Sequence, residues 1–287
     1  MKRIAIWIFG LAVFCLASGT ASAGIFSSGI NLPSGARVER DVAYGPGEKQ
    51  RIDVYIPAGA HDAPIIVMVH GGAWLYGDKS NAGVVENKAA HWLPKGMIFV
   101  SVGYPLVPDA DPVTQASDVA KAIALVQSKA ASWGGDASRI VLMGHSAGAH
   151  LVALVAADPA IAEGAGTKPW LGTVVLDSAA LDLPAIMQRK HYRFYDRAFG
   201  EDPTYWDKAS PLQQLKVAPH PMLIVCSTQR KDSCPPSDAF AAKAVSLGGR
   251  ASVLREDKTH KEINVDVGLP GDYTARIDGF IASLGVK

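Results

Sequence analysis

The stretch from Arg139 to Val155 constrains this chain more than any other. Ile140 to Met143 is a short apolar run and reads as a buried strand. Gly144-His145-Ser146-Ala147-Gly148 follows, and then Ala, Leu and Val residues at helical spacing. The pattern is strand, sharp turn and helix, with G-x-S-x-G at the turn. A serine hydroxyl is a weak nucleophile and must stand where a base can reach it. The turn that exposes it is strained, and glycines two before and two after let strand and helix pass without a Cβ clash. The amide of Ala147, in the first helical turn, faces the place where an oxyanion would form. The pentapeptide alone is modest evidence; its strand and helix are the context that makes Ser146 the expected nucleophile.

The rest of the chain repeats the strand–helix alternation. Val38–Tyr44 and Gln50–Ile56 alternate apolar and polar residues around Gly45-Pro46-Gly47, which predicts an antiparallel hairpin. Ile65–Val69, Met97–Val102, Thr173–Leu176, Met222–Cys226 and Ala251–Arg255 read as further strands. Helices are expected over Asn81–Leu93, Gln115–Trp133, Ser237–Leu247 and Tyr273–Leu284. The expected fold class is α/β: a mostly parallel, eight-stranded sheet with helices on both faces and the hairpin as an antiparallel edge. Active sites in such sheets form beyond the C-terminal strand ends, and the candidate chemistry lies there.

His70-Gly71-Gly72-Ala73-Trp74 follows the Ile65–Val69 strand. Glycines at a strand end let backbone amides turn into the cleft, where they would bind an oxyanion together with Ala147. Gly72 and Ala73 are the leading donors, with Gly71 shaping the loop. Of eight histidines, His260 is the expected base, because it follows the last strand. His191, in an aromatic insertion, is its rival. The orienting acid is expected between Ser146 and His260, at the end of the Met222–Cys226 strand, which selects Asp232. Asp257 and Asp182 are the alternatives.

Residues 1–23 read as a signal peptide. Lys2 and Arg3 precede an apolar run to Leu16, and Ala21-Ser22-Ala23 resembles a cleavage site. One α/β domain, 24–287, would remain, exported to the periplasm or medium, with no stable membrane insertion once the leader is gone. The formal net charge of +1 carries no basic run, so nucleic acid is not an expected partner. Oligomeric state is open. Cleavage leaves Cys226 and Cys234, an even pair in an oxidising compartment, and a disulfide between them is expected. Their spacing does not suit zinc, and no metal is expected.

His70–Trp74, Tyr104-Pro105-Leu106, Gly134-Gly135-Asp136, Gly144–Gly148 and Thr259-His260 together resemble the α/β-hydrolase superfamily. Within it the chain is similar to bacterial esterases and lipases with an HGG oxyanion motif, near hormone-sensitive-lipase-like and feruloyl or carbohydrate esterases. The resemblance runs from about Val38 to Phe280. It implies hydrolysis of small-molecule carboxylic esters without a cofactor, by Ser146, Asp232 and His260. The chain departs from the pattern at Ala73, where many relatives carry a third glycine, and in the spacing from Asp232 to Pro235-Pro236. Such folds carry lids where residues 178–220 lie. There His191 and Tyr195, with Trp74 and Tyr76 from the oxyanion loop, are expected to line a substrate pocket under a small lid. Rival expectations keep the fold: an arylformamidase, a peptidase, or a binding protein without catalysis.

Overall fold

The computed structural model describes Ile30 and residues 32–286. The expected leader, residues 1–23, lies outside them. The strands are β1 (Arg37–Ala43), β2 (Arg51–Ile56), β3 (Ala63–Val69), β4 (Ile98–Val102), β5 (Gly135–His145), β6 (Gly172–Leu176), β7 (Met222–Ser227) and β8 (Ala251–Glu256). They form one eight-stranded sheet of order β1-β2-β4-β3-β5-β6-β7-β8. β1 and β2 are antiparallel, β2 runs antiparallel to β4, and the remaining neighbours are parallel.

The uninterrupted apolar strands follow from burial on both faces. In β3, Ile65, Val67 and Val69 enter one apolar layer while Ile66 and Met68 enter the other. The first layer is closed by α2 (Pro112–Lys129) and α3 (Ala147–Ala157), the second by α1 (Ala82–Trp92). Asn81 caps α1 and Asp111 caps α2, each accepting an amide of the first turn. The helix expected over Gln115–Trp133 begins three residues earlier because Asp111 and Pro112 supply a cap and a first helical residue.

The short helix α4 (Pro159–Gly164) precedes β6, and residues 178–220 fold as a string of short helices. These are α5 (Leu183–Met187), α6 (Arg193–Phe199), α7 (Pro203–Ala209) and α8 (Pro211–Gln214). α9 (Cys234–Ser246) then packs Phe240 and Ala244 into the first layer. Two helices complete the second layer: α10 (His260–Val265) and α11 (Asp272–Ser283). A disulfide joins Cys226 at the end of β7 to Cys234 at the start of α9, Cα to Cα 5.1 Å. Among the described residues no helix is long and apolar enough to cross a membrane.

Candidate active site

β3, β5, β6 and β7 end side by side, and the residues following them build one site. Ser146 stands between β5 and α3 with φ 57° and ψ −117°, a conformation costing roughly 1–3 kcal/mol for a non-glycine residue. The fold enforces it from both sides. The Ser146 amide donates to Leu176 O at 2.9 Å. A Cβ on Gly148 would lie 2.2 Å from Val69 O, so only glycine lets α3 meet the end of β3.

His260 is the first residue of α10. Thr259 and Glu262 form a capping box at that helix start, the Glu262 carboxylate accepting the Thr259 amide at 2.8 Å. The His145 Nε2–H donates to His260 O at 2.9 Å. Burial, reinforced by the neighbouring His260 ring, pushes His145 down to about 3 and keeps it neutral. At the far end of α10, the buried Lys88 of α1 donates to Asn264 O at 2.6 Å. His260 is thus held at its cap, at its carbonyl and at its helix end. Its Nε2 lies 2.9 Å from Ser146 Oγ.

The carboxylate that meets His260 is Asp177, not Asp232. Asp177 follows β6 directly and its Oδ2 lies 2.5 Å from His260 Nδ1. Its Oδ1 accepts the Ser227 amide at 2.9 Å and the Ser233 hydroxyl. Burial raises its pKa, but His260, the Arg230 guanidinium, Ser233 and the Ser227 amide hold the carboxyl well below the usual carboxylate range. Asp232 instead turns its Oδ2 to Arg230 Nη2 at 3.2 Å, with its side chain 35% exposed. The physical reason is sheet order: β6 lies beside β5, so the residue after β6 falls next to Ser146, while Arg230 fills the corresponding place after β7. The two alternatives are occupied elsewhere. Asp257 accepts Gln229 Nε2 at 3.1 Å and Asp182 caps α5.

The loop expected to bind the oxyanion is oriented by buried histidines. The His70 Nδ1–H donates to Gly71 O at 2.7 Å. In a trans peptide the following N–H points the opposite way, so the Gly72 amide faces away from His70. Gly72 has φ 129°, and a Cβ there would lie 2.0 Å from Tyr76 O. Ala73 (φ 53°) and Trp74 (φ 62°) carry the left-handed turn onward, so alanine sustains what a third glycine would otherwise do. Among the described residues the amides of Gly72, Ala73 and Ala147 find no acceptor, and all three residues line the same cavity. The Trp74 indole donates to His150 Nδ1 at 3.1 Å, and His150 Nε2–H donates to Ala209 O at 2.7 Å. Burial pushes His150 down to about 4, which suits a neutral ring that accepts on one side and donates on the other.

The cavity holds about 590 Å³ and is lined by Ser146, His260, Gly71, Trp74, Phe194 and Tyr195, among others. Trp74 packs against Phe199 (ring centroids 4.6 Å), Tyr195 (5.7 Å) and Phe194 (6.4 Å), so the loop after β3 and residues 178–220 share one aromatic wall. Tyr76 and Tyr192 stand at the rim, 62% and 67% exposed. His191, expected in the pocket, is not among the lining residues. Its two ring nitrogens are engaged by Arg189 O at 2.6 Å and Asp196 Oδ1 at 2.7 Å instead. Among the described residues no cluster of three or more His, Cys, Asp or Glu side chains could hold a metal ion.

The sheet order, the strained serine turn and the histidine after the last strand define an α/β-hydrolase fold. The chain belongs to the BD-FAE family, whose model matches residues 52–238. It is 26% identical over 266 residues to the isoprenylcysteine alpha-carbonyl methylesterase ICME of Arabidopsis thaliana, covering 86% of this chain and 62% of that one. A shorter stretch of 116 residues is 35% identical to a kynurenine formamidase of Danio rerio, covering 40% and 37%. The fold superposes on esterase B of Lactobacillus rhamnosis with a TM-score of 0.72 at 19% identity, covering 89% of this chain and 88% of that one.

Proposed function

We propose that this protein is a serine carboxylesterase for small to medium esters. The observation that carries the reading is the relay Ser146 Oγ–His260 Nε2 at 2.9 Å and His260 Nδ1–Asp177 Oδ2 at 2.5 Å, beside amides that find no acceptor among the described residues. Ser146 Oγ attacks the ester carbonyl as His260 Nε2 takes its proton. Asp177 fixes the Nδ1–H tautomer and stabilises the imidazolium. The amides of Ala147, Gly72 and Ala73 receive the oxyanion, each such donor being worth about 3 kcal/mol in the transition state. His260 returns the proton to the departing alcohol, and water then cleaves the acyl-enzyme by the same route.

The bulk of Trp74, Phe194 and Tyr195 around the cavity supports short or compact acyl groups, with residues 178–220 as a small lid. The methylesterase relative supports an ester substrate with a small leaving alcohol. The formamidase relative supports a second reading, hydrolysis of an aryl formamide by the same residues. The disulfide supports an exported protein whose mature chain starts at Gly24, which N-terminal sequencing of the secreted or periplasmic form checks. Turnover of p-nitrophenyl esters from C2 to C12, run beside an N-formyl arylamine and the Ser146→Ala variant, tests the function. Ester activity peaking at short chains and absent from the variant is expected. Turnover of the formamide alone would favour the second reading.

A further inference from the structure

Arg230 lies where the parts of the site meet. Its Nη1 is 2.7 Å from Asp177 Oδ2 and 2.8 Å from His260 Nδ1, and its Nη2 is 3.2 Å from Asp232 Oδ2. Asp177 Oδ2 therefore receives both the imidazole N–H and the guanidinium. A protonated Nδ1 cannot accept a hydrogen bond, so the guanidinium faces the ring as a charge and bonds to the carboxylate. Asp177 has other anchors, because Ser227 and Ser233 already occupy Oδ1. What Arg230 adds is electrostatic. A cation beside an imidazole favours its neutral form, and during turnover His260 must become a cation across the oxygen that Arg230 shares. Asp232, on the other side of the fork, offsets part of that charge.

We propose that Arg230 is a positioning residue whose charge, brought to the relay through Asp177 Oδ2, sets where the acidic limb of the pH–rate profile falls, with Asp232 as the counter-ion that limits its hold on Asp177. The inference rests on the roles proposed above for Ser146, His260 and Asp177. Other charged or titratable groups belong to the elements around His260. His145, at the end of β5, packs its ring against that of His260; Lys88 of α1 reaches the same helix at Asn264 O; Lys258, Lys261 and Glu262 adjoin His260 in sequence, Lys258 paired with Asp266 and Glu262 bonded to Thr259. Burial keeps His145 neutral, and it pushes Lys88 down to about 7. Lys88 is common to every variant below, so differences between them cancel it.

The test is the pH dependence of kcat/KM on a neutral p-nitrophenyl ester, from pH 4.5 to 9, with competent sites counted by a reactive phosphonate. Wild type, Arg230→Met, Arg230→Lys and Asp232→Asn are compared. Arg230→Met is expected to raise the midpoint of the acidic limb by roughly one pH unit. Its kcat/KM should fall about tenfold more at the acid end than at the plateau. Arg230→Lys, which keeps the charge and loses the fork, should fall between it and wild type. Asp232→Asn should move the limb the other way. A limb unmoved in Arg230→Met, an equal loss at every pH, or a rise in Asp232→Asn would overturn the proposal. Asp177→Asn separates this from the underlying reading. Full activity there removes the assigned acid; inactivity there with no limb shift in Arg230→Met removes only the role of Arg230.

Discussion

Two loops leave neighbouring strands at the same edge of the sheet, and each offers an aspartate. The loop after β6 holds Asp177 with no solvent exposure, in a left-handed conformation (φ 55°), with both carboxylate oxygens engaged. The loop after β7 holds Asp232 one-third exposed and, among the described residues, paired with Arg230 alone. The two differ in enclosure and in hydrogen-bond supply more than in distance along the chain. A carboxylate that must stay charged while buried needs several donors, and Asp177 has them because the β7 loop delivers Ser227, Arg230 and Ser233 to it. The second loop therefore acts as the scaffold of the first, with the Cys226–Cys234 disulfide closing that scaffold at both ends.

The largest expected effect that tests this contrast is at Ser146, the proposed nucleophile that both loops would serve. Ser146→Ala should lower kcat by about 10⁶, read with the best ester from the chain-length series, in protein whose unfolding midpoint is unchanged. Next comes the scaffold. Ser233→Ala removes one donor from Asp177 Oδ1 and should lower kcat/KM roughly tenfold, with a stability loss of about 1–2 kcal/mol in urea unfolding. A fully active Ser233→Ala would mean that the second loop does not support the first.

Breaking the disulfide tests the same point from farther away. The paired Cys226→Ser and Cys234→Ser variant should lose about 2.5 kcal/mol of stability from loop closure. It should also lose activity before it unfolds, measured by assay and circular dichroism across one thermal ramp.

The smallest effect per group is with pH. Burial pushes His70 and His150 down to about 4 and His145 to about 3. Their depressed values mean that the unfolded chain binds protons, below its ordinary value near 6.5, that the folded one refuses. Stability should therefore be level above pH 6.5 and fall as pH drops from 6.5 toward 4, by up to about 1.4 kcal/mol per pH unit for each ring. Asp177 adds to this at lower pH. Its folded value is depressed, so its contribution is complete above about 4 and is lost as pH falls below that. Urea titrations at pH 7.5, 6 and 5 measure the first slope, and equal midpoints would contradict it.

The sheet was legible because burial on both faces leaves uninterrupted apolar runs, as in Ile65–Val69, and because the hairpin keeps an alternating edge. Ser146 and its glycines were legible because strain at the turn demands particular residues locally. Asp177 was not. Its partners, Ser227, Arg230, Ser233 and His260, come from 50 or more residues away. The signal available was an aspartate directly after a buried strand, but that β6 neighbours β5 is a fact of sheet order. Chain order alone favoured the later loop, where Asp232 stood. Arg230 was missed for a related reason: beside Lys231 it reads as a solvated charge. His191 misled because aromatic neighbours in sequence suggested a pocket, whereas Asp196 and the Arg189 carbonyl engage both of its ring nitrogens.

The central claim is that Asp177, held by the neighbouring loop, orients His260. Its most direct test is kcat/KM of Asp177→Asn and Asp232→Asn on the same ester at pH 8, normalised to phosphonate-titrated sites. The account predicts a loss of about 10⁴ for Asp177→Asn and less than about tenfold for Asp232→Asn. The reverse order would contradict it and return the acid to the loop after β7.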